Sequence, residues 1–217
     1  MLELPLFPLN TVLFPGTALH LHIFEERYKR MLNRCIQERR PFGVALIRQG
    51  QEALGPLALP HEVGCSAQVL HVKRLDDGRM NIAVVGQERF RIRSLDFASQ
   101  PYLVGVVEPA PLPFRGLDEL ERSAERLRRQ VERYIERLLS AGGAFDLRQL
   151  PARPIELAYA ALGLLQISND EKQRLLELDD PHRLLDQAQA IYRREHSLLS
   201  ALLQHTDQAS GISFSVN

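Results

Sequence analysis

The sequence contains no tryptophan, two cysteines and three lysines among its 217 residues. Its 27 basic and 27 acidic residues give a formal net charge of zero, so no overall field draws the chain to nucleic acid or to an anionic membrane. The most apolar run, residues 157–167, is far shorter than the roughly 20 residues that span a bilayer. The start, "MLELPLFPLN", lacks the basic region of a signal peptide. We therefore expect a cytoplasmic protein without a membrane partner.

The motifs of common catalytic sites are also missing. No lysine follows a glycine as a P-loop requires, and no G-x-S-x-G elbow marks a serine nucleophile of a hydrolase. The stretch "HEVGC" has only one of the two histidines of a zinc-protease helix. His20, His22 and His71 could form a zinc site if neighbouring strands bring them together, although scattered histidines are more often surface or core residues. We expect no enzyme activity, no cofactor and no metal.

The two cysteines, Cys35 and Cys65, fall in a predicted helix and a predicted strand, each with apolar neighbours. Unpaired cysteine is among the most frequently buried residue types. We therefore predict two buried free thiols rather than a disulfide.

Up to residue 108, short runs of β-branched and apolar residues alternate with turn signals, which is typical of a β-barrel or sandwich. In "VLHVKRLDDGRMNIAVV", the pair Asp77 and Gly78 can take the positive φ angles of a tight hairpin turn. The predicted strands are residues 4–7, 18–23, 42–48, 65–73, 80–85, 88–94 and 102–108.

One helix interrupts these strands, and it follows the stretch "LFPGTALHLHIFEERY". Pro15 and Gly16 turn the chain, "ALHLHI" alternates as a half-buried strand, and two glutamates favour the positive end of the next helix. The helix is predicted over residues 25–39, because its apolar residues recur at helical spacing: Tyr28, Met31, Leu32, Cys35 and Ile36.

Beyond the proline-rich segment "PAPLPFRG", residues 109–116, every predicted element is a helix. Apolar residues keep a heptad-like spacing from residue 120 to 138, and Ser168 with Glu171 forms a capping box. We predict three parts: a β-barrel-like subdomain over residues 1–112, an α-helical bundle over 113–205 and a flexible tail over 206–217. The predicted fold class is α+β.

These residues together resemble the N-terminal, substrate-binding domain of the ATP-dependent protease Lon. The resemblance lies in "LPLFPLNTVLFPGTALHLHIFEERY", "VGCSAQVLHV", "DDGRMNIAVVGQERFRI", "YLVGVVE" and "SNDEKQRLLELDDPHRLL". It implies a twisted β pseudo-barrel of the pseudouridine-synthase-associated (PUA-like) type with one packed helix, followed by a helical bundle. Its family-signature residues are structural: Pro15, Gly16, Phe24, Glu25, Arg27 and Tyr28.

The full protease continues into an ATPase and a Ser-Lys protease domain, and the 217 residues carry neither motif. We therefore expect a stand-alone, non-catalytic module that recognises a polypeptide substrate or a partner protein, with cooperation with a separate protease left open. Leu112 and Phe114, apolar residues of the linker, are its candidate partner-binding residues. The alternative is an RNA-binding protein of PUA-like fold, which the neutral charge disfavours.

Overall fold

The computed structural model describes residues 1–53, 55–113, 116–140 and 150–210, with the side chains of 140 and 200–210 left aside. This part contains a seven-stranded sheet and five helices, a mixed α/β fold. The strands are β1 (Leu2–Leu9), β2 (Ala18–Ile23), β3 (Phe42–Gln49), β4 (Leu59–Pro60), β5 (Val63–Arg74), β6 (Met80–Asp96) and β7 (Leu103–Pro109). The helices are α1 (Glu26–Gln37), α2 (Leu117–Ser140), α3 (Pro154–Leu164), α4 (Asn169–Leu176) and α5 (Pro181–Ser210).

Five strands close a ring of hydrogen-bonded neighbours. Their order is β1-β7-β6-β5-β3, and β1 returns to pair in parallel with β3, whereas the other pairs of the ring are antiparallel. Strand β4 pairs with β3, and β2 pairs with the first half of β6, from Met80 to Val85. The ring therefore leaves β2 as an added strand beside a closed ladder.

Strand β6 runs unbroken through Gly86, where the sequence predicts a break between two strands. A Cβ atom at Gly86 would lie 2.2 Å from the backbone oxygen of Phe14. Glycine is therefore present because another backbone segment approaches closely, and the strand needs no turn there. The hairpin between β5 and β6 is confirmed, and only Gly78 of its predicted pair has a positive φ, +79°.

The core of the strands is apolar and includes one face of α1. Tyr28, Met31, Leu32 and Cys35 are buried, as the helical spacing predicts, and they pack with residues of β1, β3, β5 and β6. Both cysteines are buried free thiols. Burial raises the pKa of Cys35 to about 11 and that of Cys65 to about 12. Both thiols are therefore neutral at physiological pH.

The chain divides into two compact units whose limits differ from the three predicted parts. The first unit comprises Met1–Arg115 and Tyr159–Pro181, and the second comprises Gly116–Ala158 and His182–Asn217. Helix α4 and the end of α3 therefore group with the strands, and the predicted C-terminal bundle of all later helices is not confirmed.

Side-chain bonds explain this grouping of residues 159–181 with the strands. The buried Arg89 of β6 donates to the Leu178 carbonyl (2.6 Å), the Asp179 carboxylate (2.9 Å) and the Tyr159 hydroxyl (3.5 Å). The Gln173 amide donates to the Val63 carbonyl of β5 (3.0 Å). Such buried polar bonds join elements that helical periodicity alone assigns to different parts.

In the second unit, α2 and α5 pack through the predicted apolar spacing. Leu120, Leu127 and Val131 are fully buried. The rings of Tyr134 and Tyr192 meet edge to face at 5.5 Å. Helix α5 continues to Ser210, beyond the predicted end at residue 205, because the first glycine after Pro181 is at position 211. The rest of the predicted tail, residues 211–217, lies outside the described residues.

Candidate functional site

The turn before β2 is fixed by bonds to β6. Pro15 is half-buried, and the exposed Gly16 has a φ of +76°, which a side chain rarely tolerates. The Gly16 amide donates to the Gly86 carbonyl (2.8 Å), and the Gly86 amide donates to the Thr17 carbonyl (2.9 Å). The direction in which β2 leaves the turn is therefore set by the backbone.

The start of α1 is held by Arg27. Glu25 occupies the N-cap position in an extended conformation without a side-chain capping bond. Its carboxylate instead forms an ion pair with Arg27 (2.9 Å). The guanidinium of Arg27 lies 4.8 Å from the centre of the Tyr28 ring and donates to the Gly55 carbonyl (3.2 Å). One arginine thus joins the helix start to the loop after β3.

Tyr28 is a core residue. It is 4% exposed, and its ring centre lies 4.1 Å from that of Phe7. Burial raises the pKa of Tyr28, the nearby Arg27 opposes this rise, and the Glu25 and Glu52 carboxylates add to it. The hydroxyl is therefore protonated at neutral pH and has no role as a base.

A cavity of ≈ 260 Å³ lies beside β2, and we call it the β2 groove. Phe7, Leu9 and Tyr28 form an apolar floor. Six consecutive residues from His20 to Glu25 line one side, and Glu52 with Ala53 lines another. Three of the six signature residues contribute to the lining: Phe24, Glu25 and Tyr28.

Phe24 and Glu52 give the β2 groove its exposed features. The Phe24 ring is 43% exposed and lies near the His22 ring, with ring centres 6.1 Å apart. The Glu52 carboxylate accepts a hydrogen bond from the Asn10 backbone amide (2.6 Å). Within residues 1–53 and 55–113, no salt bridge joins Glu52 to a cation. The groove thus offers apolar surface and one carboxylate that has no basic partner among the described residues.

The three histidines lie on one face of the sheet but do not form a metal site. His20 of β2 pairs with Ala83 of β6, and Ala83 pairs along its other edge with His71 of β5. The two imidazoles are therefore separated by the width of β6. His22 forms a hydrogen bond with the Asn81 side chain (2.6 Å). Among the residues that the structure describes, no group of three His, Cys, Asp or Glu side chains could hold a metal ion. The helices described also include none that could span a membrane.

Of the two linker residues predicted from the sequence to contact a partner, the structure describes one. Leu112 is half-buried. Phe114 lies outside the described residues, so its position relative to Leu112 is not described. The groove residues that the sequence did not single out include Phe7, Leu9 and Glu52. Glu52 lies in the loop "QGQEALGP", where no periodicity or motif could have signalled its position beside β2.

The closed β ring with its packed helix and the β2 groove together define a mixed α/β domain that presents a surface suited to binding. The family model for the "ATP-dependent protease La (LON) substrate-binding domain" matches residues 3–193. The chain belongs to this family.

Known relatives support the assignment. Lon protease 2 of Syntrophobacter fumaroxidans is 25% identical over 214 residues, which are 97% of this chain and 27% of that protein. Lon protease of Roseiflexus castenholzii is 28% identical, over 91% of this chain and 25% of that protein. The chain thus spans about a quarter of these two relatives.

Solved structures share the fold. The crystal structure of a Lon N-terminal domain protein from Xanthomonas campestris has a TM-score of 0.68 and 28% identity, covering 88% of this chain and 98% of that one. The N-terminal domain of Mycobacterium avium complex Lon protease has the same TM-score at 17% identity, over the same shares, and this likeness concerns the fold alone.

Proposed function

We propose that the chain is a non-catalytic recognition module that binds extended or unfolded polypeptide. The family match over residues 3–193 carries this proposal, because the matched family is named for substrate binding in an ATP-dependent protease. The β2 groove is the proposed binding surface. Its floor is apolar and the rim residue Phe24 is exposed, which are features of sites that accept side chains of a partner.

We further propose that the closed strand ring is of the PUA-like type and that the protein acts in the cytoplasm. Cooperation with a protease on another chain is compatible with the proposed role. The comparisons give no support to the RNA-binding alternative.

We also propose that the segment of residues 109–116 is a boundary and that Leu112 and Phe114 contribute to partner contacts. Limited proteolysis tests the boundary, because exposed proline-rich linkers are cut before packed elements. The first cut is expected within residues 109–116 or after residue 210, where α5 has ended. A first cut inside residues 18–39 would contradict it, because β2 and α1 are tied into the core.

Binding of an unfolded protein tests the proposed function. Reduced and carboxymethylated α-lactalbumin cannot fold, and its tryptophan fluorescence can be followed selectively because this chain has no tryptophan. We expect saturable binding of the unfolded form and none of the native, disulfide-bonded form. Replacing Phe24 by Ser should weaken binding about tenfold, since truncating an aromatic side chain that contacts the partner commonly costs about 1–2 kcal/mol.

Phe97 provides the matched control, because it is 47% exposed, compared with 43% for Phe24, and is not part of the β2 groove lining. The Phe97→Ser variant should bind as the unchanged protein does. Equal losses of affinity in both variants would show that any exposed aromatic ring contributes to binding. They would rule out the β2 groove as the specific binding surface. Hydrolysis of ATP or peptide by the pure protein would contradict the non-catalytic role.

A further inference from the structure

Strand β2 has a free backbone edge. In the described part of the chain it pairs with β6 alone, whereas β1, β7 and β3 have partners on two sides. The Gly86 amide donates to the Thr17 carbonyl, and bonding alternates along an antiparallel ladder. Counting in steps of two from Thr17, the backbone groups of Leu19 and Leu21 also bond to β6. The backbone N–H and C=O groups of His20 and His22 therefore point to the other side, where the β2 groove lies.

The edge of β2 lacks the features that commonly prevent strand pairing. Its sequence "ALHLHI" has no proline, lysine, arginine or acidic residue. Other edges differ: β4 is two residues long and ends in Pro60, and the far half of β5 carries a bulge after Val69 and two cations, Lys73 and Arg74. Long, uncharged edges are templates for an added strand.

The lining of the β2 groove indicates which side chains an added strand would carry. An extended chain places alternate side chains on one face, so its apolar residues can reach the floor formed by Phe7 and Leu9. Glu52 lines the same groove and has no salt bridge to a cation among the described residues. A lysine or arginine of the partner would supply the missing opposite charge.

We propose that an extended polypeptide segment with alternating apolar residues and one basic residue adds to β2 as a strand, placing its basic side chain at Glu52. This inference rests on the proposed function and specifies its mode: the backbone groups of His20 and His22 give affinity for any extended chain, and the groove selects side chains.

The probe is a short, end-blocked fluorescent peptide that alternates valine and threonine around one lysine. Two versions carry N-methyl groups on alternate backbone amides, one version for each edge of the peptide. One version should bind about tenfold more weakly than the unmodified peptide, and the other should bind nearly as well, because only one peptide edge donates to β2. Amide hydrogen exchange by NMR should show His20 and His22 becoming protected on binding, while Leu21 is protected throughout.

Two variants test the charge. Glu52→Gln keeps an acceptor for the Asn10 amide but removes the negative charge, and it should weaken binding of the lysine peptide about three- to tenfold. A peptide with norleucine in place of lysine should bind Glu52→Gln and the unchanged protein equally. The control is Glu88→Gln, an exposed carboxylate of β6 that is not in the groove lining and should change neither affinity.

The outcomes separate this inference from the proposed function. If unfolded α-lactalbumin binds but His20 and His22 gain no protection and both N-methylated peptides bind, polypeptide binding stands and strand addition is refuted. Protection that rises with protein concentration, without peptide, would instead identify a second copy as the occupant and overturn the proposal. If neither peptide nor unfolded protein binds, both proposals fail.

Discussion

Replacing Arg89 by Met should destabilise the protein by about 2 kcal/mol. The side chain is 2% exposed, and Met keeps the apolar stem while removing the bonds to Leu178, Asp179 and Tyr159. A charged hydrogen bond to the part-buried Leu178 carbonyl is worth about 1.5–3 kcal/mol, and the pair with the 70%-exposed Asp179 adds at most about 1 kcal/mol. The Arg89 Nε atom is buried and has no hydrogen-bond partner among the described residues, so removing it restores about 1 kcal/mol of stability.

Urea unfolding followed by circular dichroism measures this loss, and Arg91→Met is the control. Arg91 lies on the same strand and also pairs with Asp179 (3.3 Å), but its side chain is 28% exposed, so its replacement should cost no more than about 0.5 kcal/mol. Faster amide exchange in residues 172–178 of Arg89→Met should accompany the global loss. Equal stability of the two variants would refute the idea that Arg89 fixes residues 159–181 to the strands.

Other substitutions test the turn and the core. Gly16→Val should cost about 1–2 kcal/mol in thermal or urea unfolding, from positive φ alone, since no atom lies within 4 Å of the added Cβ. Gly86→Ala should cost more, about 3 kcal/mol, because its Cβ would meet a backbone oxygen at 2.2 Å, and equal losses would contradict this. Met31→Asp should cost about 4 kcal/mol by calorimetry, because it places a charge at a fully buried position. The pKa values of Cys35 and Cys65 are raised in the folded protein, so the thiols of the unfolded chain release their protons first as the pH rises. The free energy of unfolding should therefore fall above pH 9 or so. It should fall less in the Cys→Ala variants over the same range.

The order of elements could be predicted where local periodicity and tertiary packing agree. Strand β2 and the apolar face of α1 match their patterns, and Ser168 caps α4 by accepting from the Glu171 amide, as the capping box predicts. Gly86 misled the prediction, because a glycine that admits another backbone looks the same in sequence as one that ends a strand. Arg89 gave no signal, because its partners lie 70 to 90 residues away.

The candidate site was less accessible to prediction than the fold. Signature residues Phe24, Glu25 and Tyr28 were identified by resemblance, but as structural residues, and only the pairing of β2 revealed that they border a cavity. A free strand edge is a property of sheet topology rather than of any residue. The role of Glu52 likewise depends on how a loop returns to β2.

Site-specific photo-crosslinking most directly tests the claim that the chain binds polypeptide at the β2 groove. p-Benzoylphenylalanine is placed at Phe24 in one variant and at the similarly exposed Phe97 in another, and each is irradiated with carboxymethylated α-lactalbumin. We expect a crosslinked product from position 24, reduced by excess unlabelled lysine peptide, and little product from position 97. Equal crosslinking from both positions, or none from position 24, would contradict it.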